Sequence, residues 1–234
     1  MNVIVSLDSQ SFTSKPQVDA EVGTIRNRLG SSTTHSKLTL EQLGEYLHRG
    51  YTIQGALLRD NQNVDESTEE RFLEQQLFYV VIDNTYISKL IGVKYKSPEA
   101  IETLEAILKI CRRAGVKPCI IYESFTSGSK DLHGATIKKF LVIFAADEHV
   151  TDFETSRKII EALISLFPTA DKACSDPASI LYGTSPDKPI YIYNEANSIE
   201  SLLNCSPATK KSTSKRRPRK EDCTVADIKV KRLW

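Results

Sequence analysis

Long apolar runs are missing from this sequence. No stretch approaches the roughly 18 consecutive apolar residues that span a bilayer, so no membrane segment is expected. The opening MNVIVSLDSQSFTSKP has neither a charged leading region nor a long apolar core, and no secretion signal is expected. Cysteine is sparse: Cys111, Cys119, Cys174, Cys205 and Cys223 are scattered, odd in number and never form a CxxC pair. That argues against a disulfide scaffold or a zinc site and points to a reducing cytoplasm. His35, His48, His133 and His149 show no paired metal spacing, and each reads as a surface or loop residue. No His-x-His pair stands near a tyrosine, against a rolling-circle nicking initiator, and no GxxxxGK[ST] occurs, so these residues hold no P-loop helicase.

What remains is ordinary globular composition, 40% hydrophobic and 26% charged over 234 residues. That suits one large domain, or one domain and a tail. The net charge of +1 hides an asymmetry: from Ala208 onward ten Lys/Arg face three Asp/Glu, leaving 21 basic and 27 acidic residues before it. An acidic body with a basic tail is the expected organisation. Residues 1–36 are a poorly determined Ser/Thr/Gln-rich segment in which Val3–Leu7 reads as a short strand. Residues 37–206 read as the folded domain, and 207–234 as a basic, flexible tail. Within that tail 207–220 carries Lys210, Lys211, Lys215, Arg216, Arg217, Arg219 and Lys220 with two prolines and no acid. Such a segment builds no core. It reads either as a phosphate-contacting arm or as a solvated linker, and the two are compatible.

Along the folded part, Thr39 with Gln42 is a capping-box pattern, and Leu40, Leu43, Tyr46 and Leu47 form a helical stripe stopped at Gly50. Tyr51–Leu58 reads as a strand. Ser97-Pro98 reads as the start of a helix bearing Ile101, Leu104, Ile107, Leu108 and Cys111, closed by Gly115. Cys119–Tyr122 and Lys139–Ala145 read as strands. Thr151 with Glu154 reads as a second capping box before a helix ending at Pro168. Ile180–Tyr182 and Pro189–Tyr193 read as short strands, and Ser198–Leu203 as a short helix.

The stretch around which this is organised is Glu74–Asn84, EQQLFYVVIDN. Its β-forming run from Leu77 to Ile82 reads as a buried central strand delivering one carboxylate, Asp83, to the sheet edge. Asp83 either starts a turn with Asn84 or serves a ligand. From 76 to 183 the order strand, helix, strand, strand, helix, strand is that of a split βαβ unit of the RNA-recognition type. The expected class is α+β, with an additional N-terminal helix and strands. Helices would cover one sheet face and leave the other for a ligand or a second layer. Phe140 and Phe144 lie on a candidate strand that lacks the glycine and alternating aromatics of an RNA-recognition module, and they read as core.

Five stretches, GYTIQGALL, FLEQQLFYVVIDN, IIYESFTS, KKFLVIFAADEHVTD and LFPTADKACSDPASILYGT, occur in order from about Leu38 to Thr184. Together they resemble the archaeo-eukaryotic primase superfamily, in the version found in primase-polymerases of phages, plasmids and integrative elements. The resemblance implies a split-βαβ primase-polymerase core and metal-dependent nucleotidyl transfer on a DNA template. It implies Mg or Mn held by Asp83 and Asp171, which match the second aspartate of an Asp-x-Asp and a third carboxylate. Paired metals would stabilise the attacking and leaving oxygens of phosphoryl transfer. Ser124 and Thr126 match a polar motif for the incoming nucleotide, with Lys139 the basic residue nearest the third core strand. His133 falls in the loop of that motif, where some primases place a phosphate-contacting histidine. Single-stranded DNA, nucleotides and a replicative helicase are the implied partners in the replication of a mobile element.

Three departures cut across this. Val81 stands where the first aspartate belongs, Phe140-Leu141 where an arginine is common, and Ser179 where an arginine follows Asp176-Pro177. Fewer carboxylates hold metals less well, and lysine reproduces bidentate arginine contacts poorly. The sequence therefore leaves two readings: an active primase-like polymerase with Glu123 as a substitute ligand, or a degenerate relative that binds nucleic acid or a replication partner without catalysis.

Overall fold

In the computed structural model, which describes residues 1–61, 66–87 and 93–207 together with the backbone of 231–233, two strands of eleven residues run side by side at the centre. The elements in chain order are β1 (Asn2–Ser11), α1 (Asp19–Leu29), β2 (His35–Thr39), α2 (Leu40–His48), β3 (Tyr51–Gln54) and β4 (Ala56–Leu58). Then come α3 (Thr68–Arg71), β5 (Phe72–Ile82), β6 (Thr85–Ile87), β7 (Lys94–Lys96), α4 (Leu104–Ala114), β8 (Ile120–Glu123), β9 (Ser129–Lys130) and β10 (Thr136–Ile137). The chain continues through β11 (Phe140–Val150), α5 (Phe153–Ser165), β12 (Ile180–Leu181), β13 (Ile190–Ile192), α6 (Ile199–Leu203) and β14 (Lys231–Leu233).

The class is α+β, and the split unit is present. β11 lies between β5 and β8 and is antiparallel to both, so β5 and β8 are parallel strands joined through α4. The six-stranded sheet runs β14-β13-β8-β11-β5-β4. Its alternation sorts the core into two layers. Phe78, Val80 and Ile82 of β5 join Phe140, Val142 and Phe144 of β11 beneath Ile107 and Cys111 of α4 and Ile159 and Leu163 of α5. Leu77 and Tyr79 point the other way, to Val3, Val5, Leu43, Leu47 and Ile53. That second layer is a four-stranded sheet, β12-β3-β1-β2, with α2. Of the two fates open to the sheet's second face, it takes the covering layer. Phe140 and Phe144, 4% and 0% exposed, are core residues and present no stacking surface.

The strand expected at Ile180–Tyr182 does not close the split unit. It pairs with Ile53–Gln54 in the second sheet, while β4 occupies the seat beside β5 and β13 lies on the far side of β8. The single strand expected over Tyr51–Leu58 is broken at Gly55, where the chain passes from one sheet to the other. A Cβ there would stand 2.4 Å from the carbonyl oxygen of Leu77, so the crossing requires glycine. α4 begins at Leu104 behind Thr103, which accepts from the N–H of Ala106 at 3.2 Å, rather than at Ser97-Pro98. The cap of α5 is Asp152, accepting from Thr155 at 2.7 Å, and not Thr151. The box at Thr39 and Gln42 is formed in both directions.

Residues 1–36 hold β1 and α1. The helix carries Asp19 and Glu21 in its first turn and Arg26 and Arg28 in its last, matching its dipole. Arg28 grips the buried Asp8 of β1 with two bonds of 2.7 Å. Residues Lys210, Lys211, Lys215, Arg216, Arg217, Arg219 and Lys220 lie outside the described residues. Beyond them β14 pairs with β13.

Candidate functional site

Period-two alternation decides what the end of β5 presents. Val81 and Asp83 share the face turned toward the second layer, while Ile82 and Asn84 turn to the helices. Asn84, with φ +55° and no exposed surface, ends the strand in the left-handed conformation that asparagine tolerates. Its amide donates to the carbonyls of Ile101 (2.6 Å) and Lys138 (2.7 Å) and accepts from the N–H of Ile101 (2.8 Å) and the hydroxyl of Thr169 (2.7 Å). Every polar atom of that side chain is satisfied. This is why residues 97–102 stay irregular: their backbone is bonded to Asn84, and the helix waits for Thr103. The turn reading of Asp83–Asn84 thus belongs to Asn84, and Asp83 is left to face the cavity.

Backbone pairing brings in the second carboxylate. The segment after α5 runs antiparallel to the end of β5: Asp83 N–H donates to Thr169 (3.1 Å) and Asp171 N–H to Val81 (2.8 Å). Asp171 accepts from the N–H of Ala173 at 3.0 Å and so caps the short 3-10 turn of Lys172–Cys174. Lys139, just before β11, forms an ion pair with Asp83, which also accepts from the hydroxyl of Thr85. The pair is half-buried, the lysine 15% and the aspartate 28% exposed. Burial pushes the Asp83 carboxyl up, but the hydrogen bonds from Lys139 and Thr85 and the charges of Lys139 and Lys94 outweigh it. The group lies below the usual carboxylate range.

The polar motif folds back on the same loop, with Ser124 N–H donating to the Lys139 carbonyl at 3.0 Å. Two buried tyrosines of the central sheet fix the opposite wall: Tyr79 donates to the carbonyl of Ser179 and Tyr122 to that of Tyr182 (2.6 Å). Gly183 continues that wall where a Cβ would lie 2.4 Å from the Leu47 carbonyl oxygen.

The result is a cavity of about 570 Å³ between the layers, lined by Asp83, Asp171, Ser124, Thr126 and Lys139 together. Its size suits a small organic ligand such as a nucleotide. Val81 and Leu141, register partners on β5 and β11, make an apolar patch where the departures fall. Sequence reasoning missed three cations in the lining, Lys15, Arg26 and Lys94. They come from the N-terminal segment and from β7, and no local pattern marks them. Among the described residues no carboxylate lies within ion-pair distance of any of the three. It missed Cys174 as well, whose thiol is pushed up to about 11 by burial first and then by the charge of Asp171; the group stays protonated at neutral pH. Glu123 is not in the lining. It is held by Lys138 (2.8 Å) and Ser127 (2.6 Å). His133 also lies outside it, stacked on Tyr95.

These residues do not fit a pair of divalent ions. Val81 offers no oxygen, Asp83 is neutralised by Lys139, and the Cys174 sulfur is a thiol. Among the described residues no group of three His, Cys, Asp or Glu side chains could hold a metal ion. Nor, among them, is any helix long and apolar enough to cross a membrane.

No protein-family model matches the chain, and no curated protein matches it. Among solved structures it is similar to the AEP domain of the cyanophage S-2L primase-polymerase, at 10% sequence identity and a TM-score of 0.42. The match covers 88% of this chain and 89% of that one. What the cavity can do is decided by its own residues.

Proposed function

We propose that this protein is a primase-polymerase-like replication protein whose inter-layer cavity holds the phosphates of a nucleotide without carrying out two-metal nucleotidyl transfer. The observation behind this is the charge of the lining. Lys15, Arg26, Lys94 and Lys139 face Asp83 and Asp171, and Asp83 is already paired with Lys139. A walled cavity with a surplus of cations attracts phosphates. Ser124 and Thr126 supply hydroxyls, and Phe125 lines the space between them as a surface for a base. Lys139 stands where a cation is needed beside Asp83, so an ammonium takes over the charge balance that a metal ion would otherwise provide. DNA and nucleotides are the partners in this reading, within the replication of a mobile element and with a helicase acting alongside. The basic residues from Lys210 to Lys220 add sequence-independent contacts to DNA phosphates.

Calorimetric titration with ATP and dATP in the presence of a chelator tests it. Binding that survives chelation and weakens about tenfold or more in Lys139→Ala is expected, since a charge-assisted phosphate contact contributes roughly 1.5–3 kcal/mol. Dinucleotide synthesis on a single-stranded template with magnesium or manganese, abolished by Asp83→Ala, would overturn the non-catalytic reading.

A further inference from the structure

One wall of the cavity is a single thickness of chain. Between the end of β1 and the middle of α1, residues 13–24 contribute Lys15, Pro16 and Val22 to the lining, while nine of the twelve are exposed to solvent. The segment therefore stands between the cavity and the water outside. Both of its ends are firmly held. At one end the Phe12 N–H donates to the Gly50 carbonyl at 3.0 Å, and a Cβ on Gly50 would stand 1.9 Å from the Phe12 carbonyl oxygen. At the other, Ile25 and Leu29 are buried and Arg28 holds Asp8 with two bonds of 2.7 Å.

Little holds the chain between these anchors. Among the described residues, no hydrogen bond or ion pair joins 13–24 to any residue outside α1. Its contacts are the burial of Pro16, the partial burial of Val22 and the Lys15 ammonium, 5.5 Å from the centroid of the Tyr182 ring. The helix also starts poorly. Val18 at its N-cap makes no side-chain bond, and Gly23 falls in its first half, where glycine weakens a helix. A segment with few buried contacts and an exposed backbone opens at low free-energy cost. The charge of the cavity supplies a reason for it to close. Lys15, Arg26 and Lys94 line one space and, among the described residues, have no carboxylate within ion-pair distance. Empty, they repel one another; a polyanion among them turns the repulsion into attraction. Lys15 is the cation that the weakly held segment carries, so an anion in the cavity draws that segment inward.

We propose that residues 13–24 are a lid, which swings from the empty cavity to admit a ligand and is held shut by the ligand's phosphates through Lys15. The locking step rests on the reading of the cavity as a phosphate-binding site; the opening does not. A ligand shifts such an equilibrium only by binding one state better than the other. Lys15 makes that difference here, because it reaches the ligand only when the lid is closed.

Hydrogen–deuterium exchange of the full chain, read by mass spectrometry on peptides covering 13–24, tests the proposal. The N–H groups of Glu21 and Val22, bonded to the Val18 carbonyl at 3.0 and 3.1 Å, report whether the first turn of α1 is formed. In the empty protein they should exchange at least about a hundredfold faster than those of β5 and β11. ATP at a concentration that calorimetry shows to be saturating, with a chelator present, should slow them by about tenfold. In Lys15→Ala, again saturated with ATP, the slowing should be lost, and Lys15→Arg should keep it. Exchange at Glu21 and Val22 as slow as in the central strands before ATP is added overturns the proposal. ATP that binds by calorimetry yet leaves these groups unchanged, or slows them equally in Lys15→Ala, also overturns it while the cavity reading stands. Failure of ATP to bind at all removes the cavity reading and the lock together, a result distinct from the other two.

Discussion

Substituting Val81→Asp puts the metal argument to a direct test. The side chain at 81 lines the cavity on the same face as Asp83, and its backbone carbonyl is bonded to the N–H of Asp171. The substitution therefore adds a third carboxylate to the lining that already holds Asp83 and Asp171. Without metal, the added charge is half-buried beside two like charges and opposite Leu141, and a cost of about 1–3 kcal/mol is expected. In a chain of this length that lowers Tm by roughly 2–12 °C. A divalent ion bound by the three would relieve the repulsion. At a concentration of about one hundred times its Kd it adds about 2.7 kcal/mol, a rise of roughly 5–11 °C. The assay is a thermal melt of parent and variant with and without manganese. Little or no manganese shift is expected in the parent protein and a clear one in the variant. A larger shift is expected in Val81→Asp combined with Lys139→Met, which frees Asp83 from its lysine. A manganese shift in the parent equal to that of a folded Val81→Asp variant would refute the reasoning, because it would mean that Asp83 and Asp171 already suffice.

Other expectations follow from the same neighbourhood. The Asp83 carboxyl is held below its ordinary value of about 3.9, so its ion pair contributes stability above that pH and loses it as pH falls through the depressed value. Urea unfolding should show a parent advantage over Asp83→Asn of about 1–2 kcal/mol at neutral pH that fades in acid. An advantage independent of pH would count against the pairing. Asn84→Ala leaves the Ile101 N–H and carbonyl, the Lys138 carbonyl and the Thr169 hydroxyl without their partner. A loss of about 3 kcal/mol or more is expected by chemical denaturation, and a loss below about 1 kcal/mol would contradict the hub role. Gly55→Ala should destabilise the protein because of the Leu77 carbonyl, whereas Gly23→Ala, with nothing within 4 Å of its added Cβ, should stabilise α1 by about 0.5–1 kcal/mol. Paired thermal melts with opposite signs are the expected result.

The sequence by itself determined the elements whose signals are local. Leu77–Ile82 read as a central strand because a β-forming apolar run of that length has few other uses, and Thr39 with Gln42 announced its helix through the two bonds it makes. The parallel pair β5 and β8 with β11 between them followed from element order, since a helix joining two strands of one sheet sets their direction. Asp83 and Asp171 were visible as candidates, though nothing in the chain's order says that they share a cavity.

Only the tertiary structure decided what depends on contacts distant in sequence. Ile180–Tyr182 has strand chemistry in either sheet, and Ile53–Gln54 captured it because β4 already held the seat beside β5. Ser97-Pro98 has capping chemistry, but Asn84, thirteen residues earlier, took the backbone that a helix there would have used. Glu123 was free to be a ligand until Lys138 and Ser127 closed around it. Above all, the charge of the cavity was settled by Lys15, Arg26 and Lys94, which arrive from segments with no motif of their own. Side chains report their local backbone through spacing. What a carboxylate faces across a fold is set by packing, and that is not written within any one stretch of the chain.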